Sequence, residues 1–270
     1  MAAAGLRLVA LTDHDALEGV RELRSGGVRA AATDAGPGLI AGVEINAVDD
    51  GDEAWEGELH ILGYGMDPDD EAFEATLARQ RAGREIRVRE TLDRLRRLGM
   101  PVDDAFATVV AAADPASLGR PHVARALMAT GHAASVEDAF ARILGRGCRA
   151  YVPRRGLDPR QAITAIRAAG GLAVLAHYRE APERVALVDR LIGWGLGGLE
   201  VHYGGMGRPY TVEETAALAA IARGRGLVAT GGSDYHGDTM SYAEAIARTV
   251  VPDEVEEPFL AALEAARSRP

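Results

Sequence analysis

Five short segments, far apart in the chain, each place a histidine or a carboxylate at the end or flank of an apolar run. Thr12-Asp13-His14-Asp15 follows Leu6, Leu8, Val9, Ala10 and Leu11, and Gly42-Val43-Glu44 closes Leu39-Ile40-Ala41. His60-Ile61-Leu62-Gly63-Tyr64 is itself a short apolar run, and His177 follows Leu172 to Ala176. Gly232-Ser233-Asp234-Tyr235-His236 follows Leu227-Val228-Ala229. Ionic and imidazole groups are costly beside apolar surroundings unless they are paired or bound to metal. One at a time, each is an ordinary satisfied polar group. Together they bring His14, Glu44, His60, His177, Asp234 and His236 to strand ends, where barrels and open α/β sheets gather their functional groups. The chemistry this predicts is that of a multi-metal site.

The elements that must position these residues are apolar runs of strand length: Leu6–Leu11, Leu39–Ile45, Leu59–Tyr64, Leu172–Ala176, Gly198–Val201 and Leu227–Thr230. Most are continuous rather than alternating, as expected for parallel strands covered on both faces. Helical patterns separate many of them. Asp158-Pro159 reads as a cap followed by proline at the first helical position, closed by Gly170-Gly171. Thr211 and Glu214 have capping-box spacing, predicting a helix to about Arg223 that stops before Gly224. The alternation indicates an α/β, barrel-like architecture. From about 67 to 150 it breaks into helices: Glu71–Leu98, then Asp103–Ala113, Pro121–Thr130 and Ser135–Leu144. The expected organisation is therefore a barrel domain from 1–66 and 151–250, an inserted helical lobe over 67–150, and a C-terminal helix or tail over 251–270.

Composition narrows the possibilities. The chain has 270 residues, 47% hydrophobic and 26% charged, as in ordinary globular proteins. A single cysteine, Cys148, excludes an internal disulfide framework and a cysteine-based zinc cluster. A reducing cytoplasm is the natural expectation, and no apolar run is long enough to span a bilayer. A net charge of −10 argues against duplex DNA as a partner, since that binding works by releasing counterions from basic surfaces. It leaves room for a small phosphorylated substrate, because bound divalent cations invert the local field. Gly204-Gly205-Met206-Gly207 lacks the spacing and lysine of a phosphate loop. Gly231-Gly232-Ser233-Asp234 lacks the second flanking glycine of a nucleophile elbow.

The order TDHD, GVE, H-x-L-G-Y-G, GRPH, GG-x-A-V-L-AH, G-L-E-V and TGGSD-Y-H-G resembles the PHP (polymerase and histidinol phosphatase) superfamily over roughly residues 1–240. It is most similar to the branch containing nucleoside 3′,5′-bisphosphate phosphatases, some of which trim short oligoribonucleotides from the 5′ end. The resemblance implies a distorted (β/α)7 barrel with an inserted lobe and up to three divalent metals at its mouth. His14 and His236 would hold one metal. Glu44, His60 and His177 would surround a second, with Glu44 bridging to a third that also uses Asp234. Such ligands suit Mn, Zn or Fe better than Ca. Asp13 and Asp15 would orient His14 or its loop, and Glu200 would stand behind the ligands.

The resemblance has a gap. The family opens with an H-x-H motif on its first strand, followed shortly by an aspartate, and this sequence has neither. Met1 to Gly5 resembles the end of the helix after that strand. The expected barrel therefore lacks its first strand, through either a late start or divergence, and neighbouring backbone groups would be left unpaired. Tyr178 also stands where the family usually has proline.

The resemblance implies phosphomonoester hydrolysis, in which metals neutralise phosphate oxygens and a bridging water attacks. His14, Glu44, His177 and Asp234 would carry catalysis. Arg120 and His122 of GRPH would grip a second phosphate, Arg offering a planar fork; a purely structural turn explains the same four residues. Arg146, Arg154, Arg155 and His132 read as surface groups. His202 could line the pocket, and Tyr203 and Tyr235 could stack on a base. The expected substrates are small nucleotides, such as nucleoside 3′,5′-bisphosphates, or short oligoribonucleotide 5′ ends. A histidinol-phosphate-type phosphatase and a catalytically dead binding module are the alternatives, and oligomeric state is left open.

Overall fold

The computed structural model describes residues 6–29, 37–48, 58–111, 119–205, 208–236 and 241–269. The expectation for Met1 to Gly5, the end of the helix expected at Ala113, and Met206-Gly207 fall outside these residues. Six strands form one open sheet in chain order: β1 (Leu8–Leu11), β2 (Gly38–Val48), β3 (Glu58–Tyr64), β4 (Leu172–Leu175), β5 (Gly198–Tyr203) and β6 (Val228–Gly232). The sheet curls into a half-barrel, with helices along its strand connections, giving the α/β class expected from the sequence. Among the described residues, no helix is long and apolar enough to cross a membrane.

The chain divides into two compact units, Met1–Ala75 with Leu157–Pro270, and Thr76–Gly156. The first unit holds the sheet with α1 (Glu18–Ser25), α6 (Pro159–Ala168), α7 (Val185–Trp194), α8 (Val212–Arg225), α9 (Tyr242–Arg248) and α10 (Glu256–Arg267). The boundary falls early in α2 (Glu71–Arg97). The second unit contains the rest of α2, α3 (Asp103–Ala111), α4 (Arg120–Ala129), α5 (Val136–Ala139) and a π-helical turn at Phe140–Leu144. Its own core is built from Val88, Leu95, Val123, Leu127, Ile143 and Leu144.

One feature of the sheet corrects the parallel expectation. β3 runs antiparallel to both β2 and β4, whereas β1–β2, β4–β5 and β5–β6 are parallel pairs. The link from Val48 to Glu58 is shorter than the dozen or more residues a parallel crossover needs. The reversal matters for the site: the start of β3, not its end, lies beside the C-terminal ends of the other strands. His60 reaches the mouth for that reason.

Strand alternation sets which side chains face the concave side. Ile40, Leu62, Tyr64, Leu172, Val174 and Ala176 share one cluster with Leu263 and Ala266 of α10. The helix expected near the C-terminus thus plugs one end of the half-barrel. Glu44 and His60 continue the same period-2 series from Ile40 and Leu62 toward the other end. A second, smaller correction concerns α8. It passes through Gly224 to Arg225 and is closed by Gly226 in the left-handed region at φ 66°. The expected capping box holds, with the Glu214 N–H donating to Thr211 Oγ1 at 3.2 Å.

Candidate metal centre

Backbone register brings the first two motifs together. β1 pairs with β2 from Leu8↔Gly38 to Leu11↔Ala41, and the same offset resumes at an isolated His14↔Glu44 bridge. The Glu44 N–H donates to Asp13 O at 3.1 Å and the Asp15 N–H to Glu44 O at 2.9 Å. The two aspartates flanking His14 therefore fix it beside Glu44 through their main chain, and Asp15 is fully buried. On the other side, the Ala176 N–H donates to His60 O at 3.0 Å, extending the β3–β4 ladder and delivering His177 next to His60.

The side chains converge on one carboxylate. Glu44 is only 5% exposed. His60 Nδ1 lies 2.6 Å and His177 Nε2 3.1 Å from Glu44 Oε1, and the two imidazole nitrogens are 3.0 Å apart. His14 Nδ1 stands 3.6 Å from Glu44 Oε2. His236 Nε2 faces His14 Nε2 at 3.3 Å, with Asp234 Oδ1 3.5 Å from His236 Nδ1. Four imidazoles thus form a chain, with centroids 5.4 Å apart for His14–His236, 5.7 Å for His14–His60 and 4.7 Å for His60–His177. All six residues singled out in the sequence as metal ligands meet at one end of the sheet.

The electrostatics match the crowding. Burial works to raise the Glu44 carboxyl, but hydrogen bonds from His177 and His60 and the charge of His14 outweigh it. Glu44 is held well below the usual carboxylate range. Burial opposes charge on His177, yet the Glu44 hydrogen bond and the negative charges of Glu44, Glu200 and Asp234 carry it up to about 9. Burial pushes Glu200 up to about 7 against the opposing charge of His177. Such convergence of ionisable groups is the signature of a functional site.

The donor set fits a divalent cation. Glu44, His60 and His177 each offer one ligand atom, all within 4.8 Å of one another. A buried carboxylate and two imidazole nitrogens, brought this close from β2, β3 and the turn after β4, are donors that suit a transition-metal ion. Two cavities of about 330 and 340 Å³, both lined by Arg24 and Arg267, lie at the opposite strand ends and contain no histidine.

Sequence reasoning gave Tyr203 no such place. Its hydroxyl donates to Asp234 Oδ2 at 2.7 Å, and burial together with that bond raises the phenol well above its ordinary value. Its position at a strand end was the available signal. In the second unit, Arg120 opens α4 with its guanidinium 5.3 Å over the Phe140 ring. His122 is buried, and its Nδ1 accepts the Gly119 N–H at 3.3 Å.

No family model matches the chain. Individual proteins do. A 5′-3′ exoribonuclease from Haemophilus influenzae is 35% identical over 239 residues, covering 87% of this chain and 81% of that protein. A 3′,5′-nucleoside bisphosphate phosphatase from Chromobacterium violaceum is 31% identical, covering 87% and 79%. A solved structure from Bifidobacterium adolescentis, assigned to the metal-dependent phosphoesterases, superposes with a TM-score of 0.73 at 28% identity over 99% of this chain and 88% of that one. Fold, donor set and relatives define a metal-dependent phosphoesterase. The chain belongs to the PHP superfamily.

Proposed function

We propose that this protein hydrolyses phosphomonoesters of small nucleotides, nucleoside 3′,5′-bisphosphates in particular, or acts on the 5′ ends of short oligoribonucleotides. The observation that carries the reading is the buried Glu44 carboxylate with His60 Nδ1 and His177 Nε2 at 2.6 and 3.1 Å. The exoribonuclease and bisphosphate phosphatase among its relatives support the substrate class.

Glu44, His60 and His177 would hold one ion. His14 and His236 would serve another through the nitrogens they turn toward each other, and Asp234 would share a third with Glu44. When bound, such ions neutralise phosphate oxygens and activate water for in-line attack. Mn, Zn and Fe all suit the ligands. The chain's own contribution is to hold these donors in a mouth where the surrounding imidazoles keep Glu44 ionised against the cost of its burial. His14, Glu44, His177 and Asp234 are proposed as the groups that meet the reacting phosphate and its ions. Arg120 is proposed, on the resemblance, to offer a phosphate its planar fork, with His122 holding the turn that carries it. A cytoplasmic location and a small acidic ligand rather than duplex DNA fit the single cysteine and the charge of −10.

Phosphate release from a nucleoside 3′,5′-bisphosphate with added Mn²⁺ tests the reading, alongside release of mononucleotides from a 5′-phosphorylated oligoribonucleotide. Turnover that His177→Ala abolishes supports it. Equal turnover by wild type and His177→Ala, or turnover on neither substrate, refutes it.

A further inference from the structure

Strand β5 supplies none of the proposed ligands, yet it lies between β4, which delivers His177, and β6, which delivers Asp234 and His236. Two of its side chains reach outward to these neighbours. On one side, Glu200 Oε2 accepts the backbone N–H of His177 at 2.7 Å. On the other, the Tyr203 hydroxyl donates to Asp234 Oδ2 at 2.7 Å, and the Tyr203 ring lies 5.8 Å from that of His177.

Residues three apart on a regular strand face opposite sides of the sheet. Here the β5–β6 register slips: Glu200 pairs with Thr230, but His202 pairs with Gly231 and Tyr203 with Gly232. The extra residue at Val201–His202 is a β-bulge, a device that re-aims a side chain. It turns Tyr203 toward the side Glu200 already faces. The surroundings are cut to fit. A Cβ at Gly232 would come within 2.6 Å of Glu200 Oε1, and one at Gly205 within 2.5 Å of Asp234 Cβ and 2.6 Å of the Tyr203 ring. His177 and Asp234, the two residues so held, have φ of 30° and 46°, which side chains other than glycine rarely adopt.

We propose that Glu200 and Tyr203 are positioning residues. Through the bulge, β5 ties the His177 and Asp234 turns into the orientation that lets both face Glu44 and its metal. This rests on the functional reading above only in that a divalent ion is what the aligned groups receive.

The test combines metal binding with the geometry of the metal-free protein. Mn²⁺ is titrated calorimetrically into wild type, Glu200→Gln, Glu200→Leu and Tyr203→Phe, after the chelator-treated proteins are shown to melt cooperatively. Loss of a group that orients a ligand typically weakens metal binding by about 10–100-fold. Glu200→Leu and Tyr203→Phe are expected to lose that much. Glu200→Gln keeps an acceptor for the His177 N–H and is expected to stay within about threefold of wild type. In metal-free crystals of Glu200→Leu, the His177 ring should leave Glu44, and in those of Tyr203→Phe the Asp234 carboxylate should rotate away. Unchanged affinity in Tyr203→Phe and Glu200→Leu, or unmoved side chains in their metal-free structures, overturns the proposal. Failure of wild type itself to bind Mn²⁺ refutes the functional reading instead, and the metal-free geometry still decides this one.

Discussion

Among the described residues, three other than glycine have φ in the left-handed region, Asp15, His177 and Asp234, and all three lie at the mouth of the candidate metal centre. A side chain in that region costs roughly 1–2 kcal/mol, because Cβ crowds the following carbonyl. The perturbation that isolates this cost at His177 is a comparison of His177→Gly with His177→Ala. Both lose the same imidazole and leave Glu44 with the same missing partner, so those losses cancel. What differs is the backbone. Glycine escapes the crowding but loses more freedom on folding, a difference of roughly 0.4–1 kcal/mol. The net expectation is that His177→Gly is more stable than His177→Ala by about 0.5–1 kcal/mol, the reverse of the usual order in helices and strands. For a chain of this size that is about 1–4 °C in melting temperature. The assay is thermal and urea unfolding in the presence of a chelator, so that no ion biases the comparison. Asp234→Gly against Asp234→Ala should show the same sign. If Ala equals or exceeds Gly at both positions, the conformations are relaxed, and the account of strained turns held by β5 fails with them. Strain retained at such turns is the expected cost of aiming ligands inward from strand ends.

Two further outcomes follow from His122 and from the end of α8. Burial and the nearby Arg125 charge lower His122 from its ordinary 6.5, outweighing the Gly119 backbone hydrogen bond. A histidine whose folded value is depressed contributes stability that is complete above about 6.5 and is lost as pH falls through the lower, folded value. Wild type should therefore lose more stability than His122→Asn between pH 7.5 and 5.5 in urea titrations; parallel losses would remove His122 as the cause. At the end of α8, Gly224→Ala should stabilise by roughly 0.5–1 kcal/mol, since open space surrounds its would-be Cβ and the residue is helical. Gly226→Ala, at φ 66°, should instead destabilise by roughly 1 kcal/mol or more. Equal melting shifts for the two would contradict the assigned cap.

The residues that converge at the mouth were legible in the sequence because each sits beside an apolar run, and burial of a charge there demands a partner wherever the chain goes. Strand positions followed from the same runs. What the runs could not carry was direction. Leu59–Tyr64 is as apolar as the strands on either side of it, and only pairing with Gly42–Val48 in opposite sense shows that His60 enters the mouth from the beginning of its strand. Tyr203 is the sharper case. Counting along β5 by twos from Glu200 places it on the wrong face, and a register slip of one residue, invisible in Leu199-Glu200-Val201-His202-Tyr203, reverses that. A bulge is decided by what lies across the strand, here Gly231 and Gly232, which leave room where side chains would block it. The glycines of TGGSD, which the sequence offered only as part of the family motif, are therefore part of the site in a second sense. Gly232 leaves the space into which β5 projects the Glu200 carboxylate, as Gly205 does for the Tyr203 phenol, and these two side chains hold the neighbouring strand ends in place.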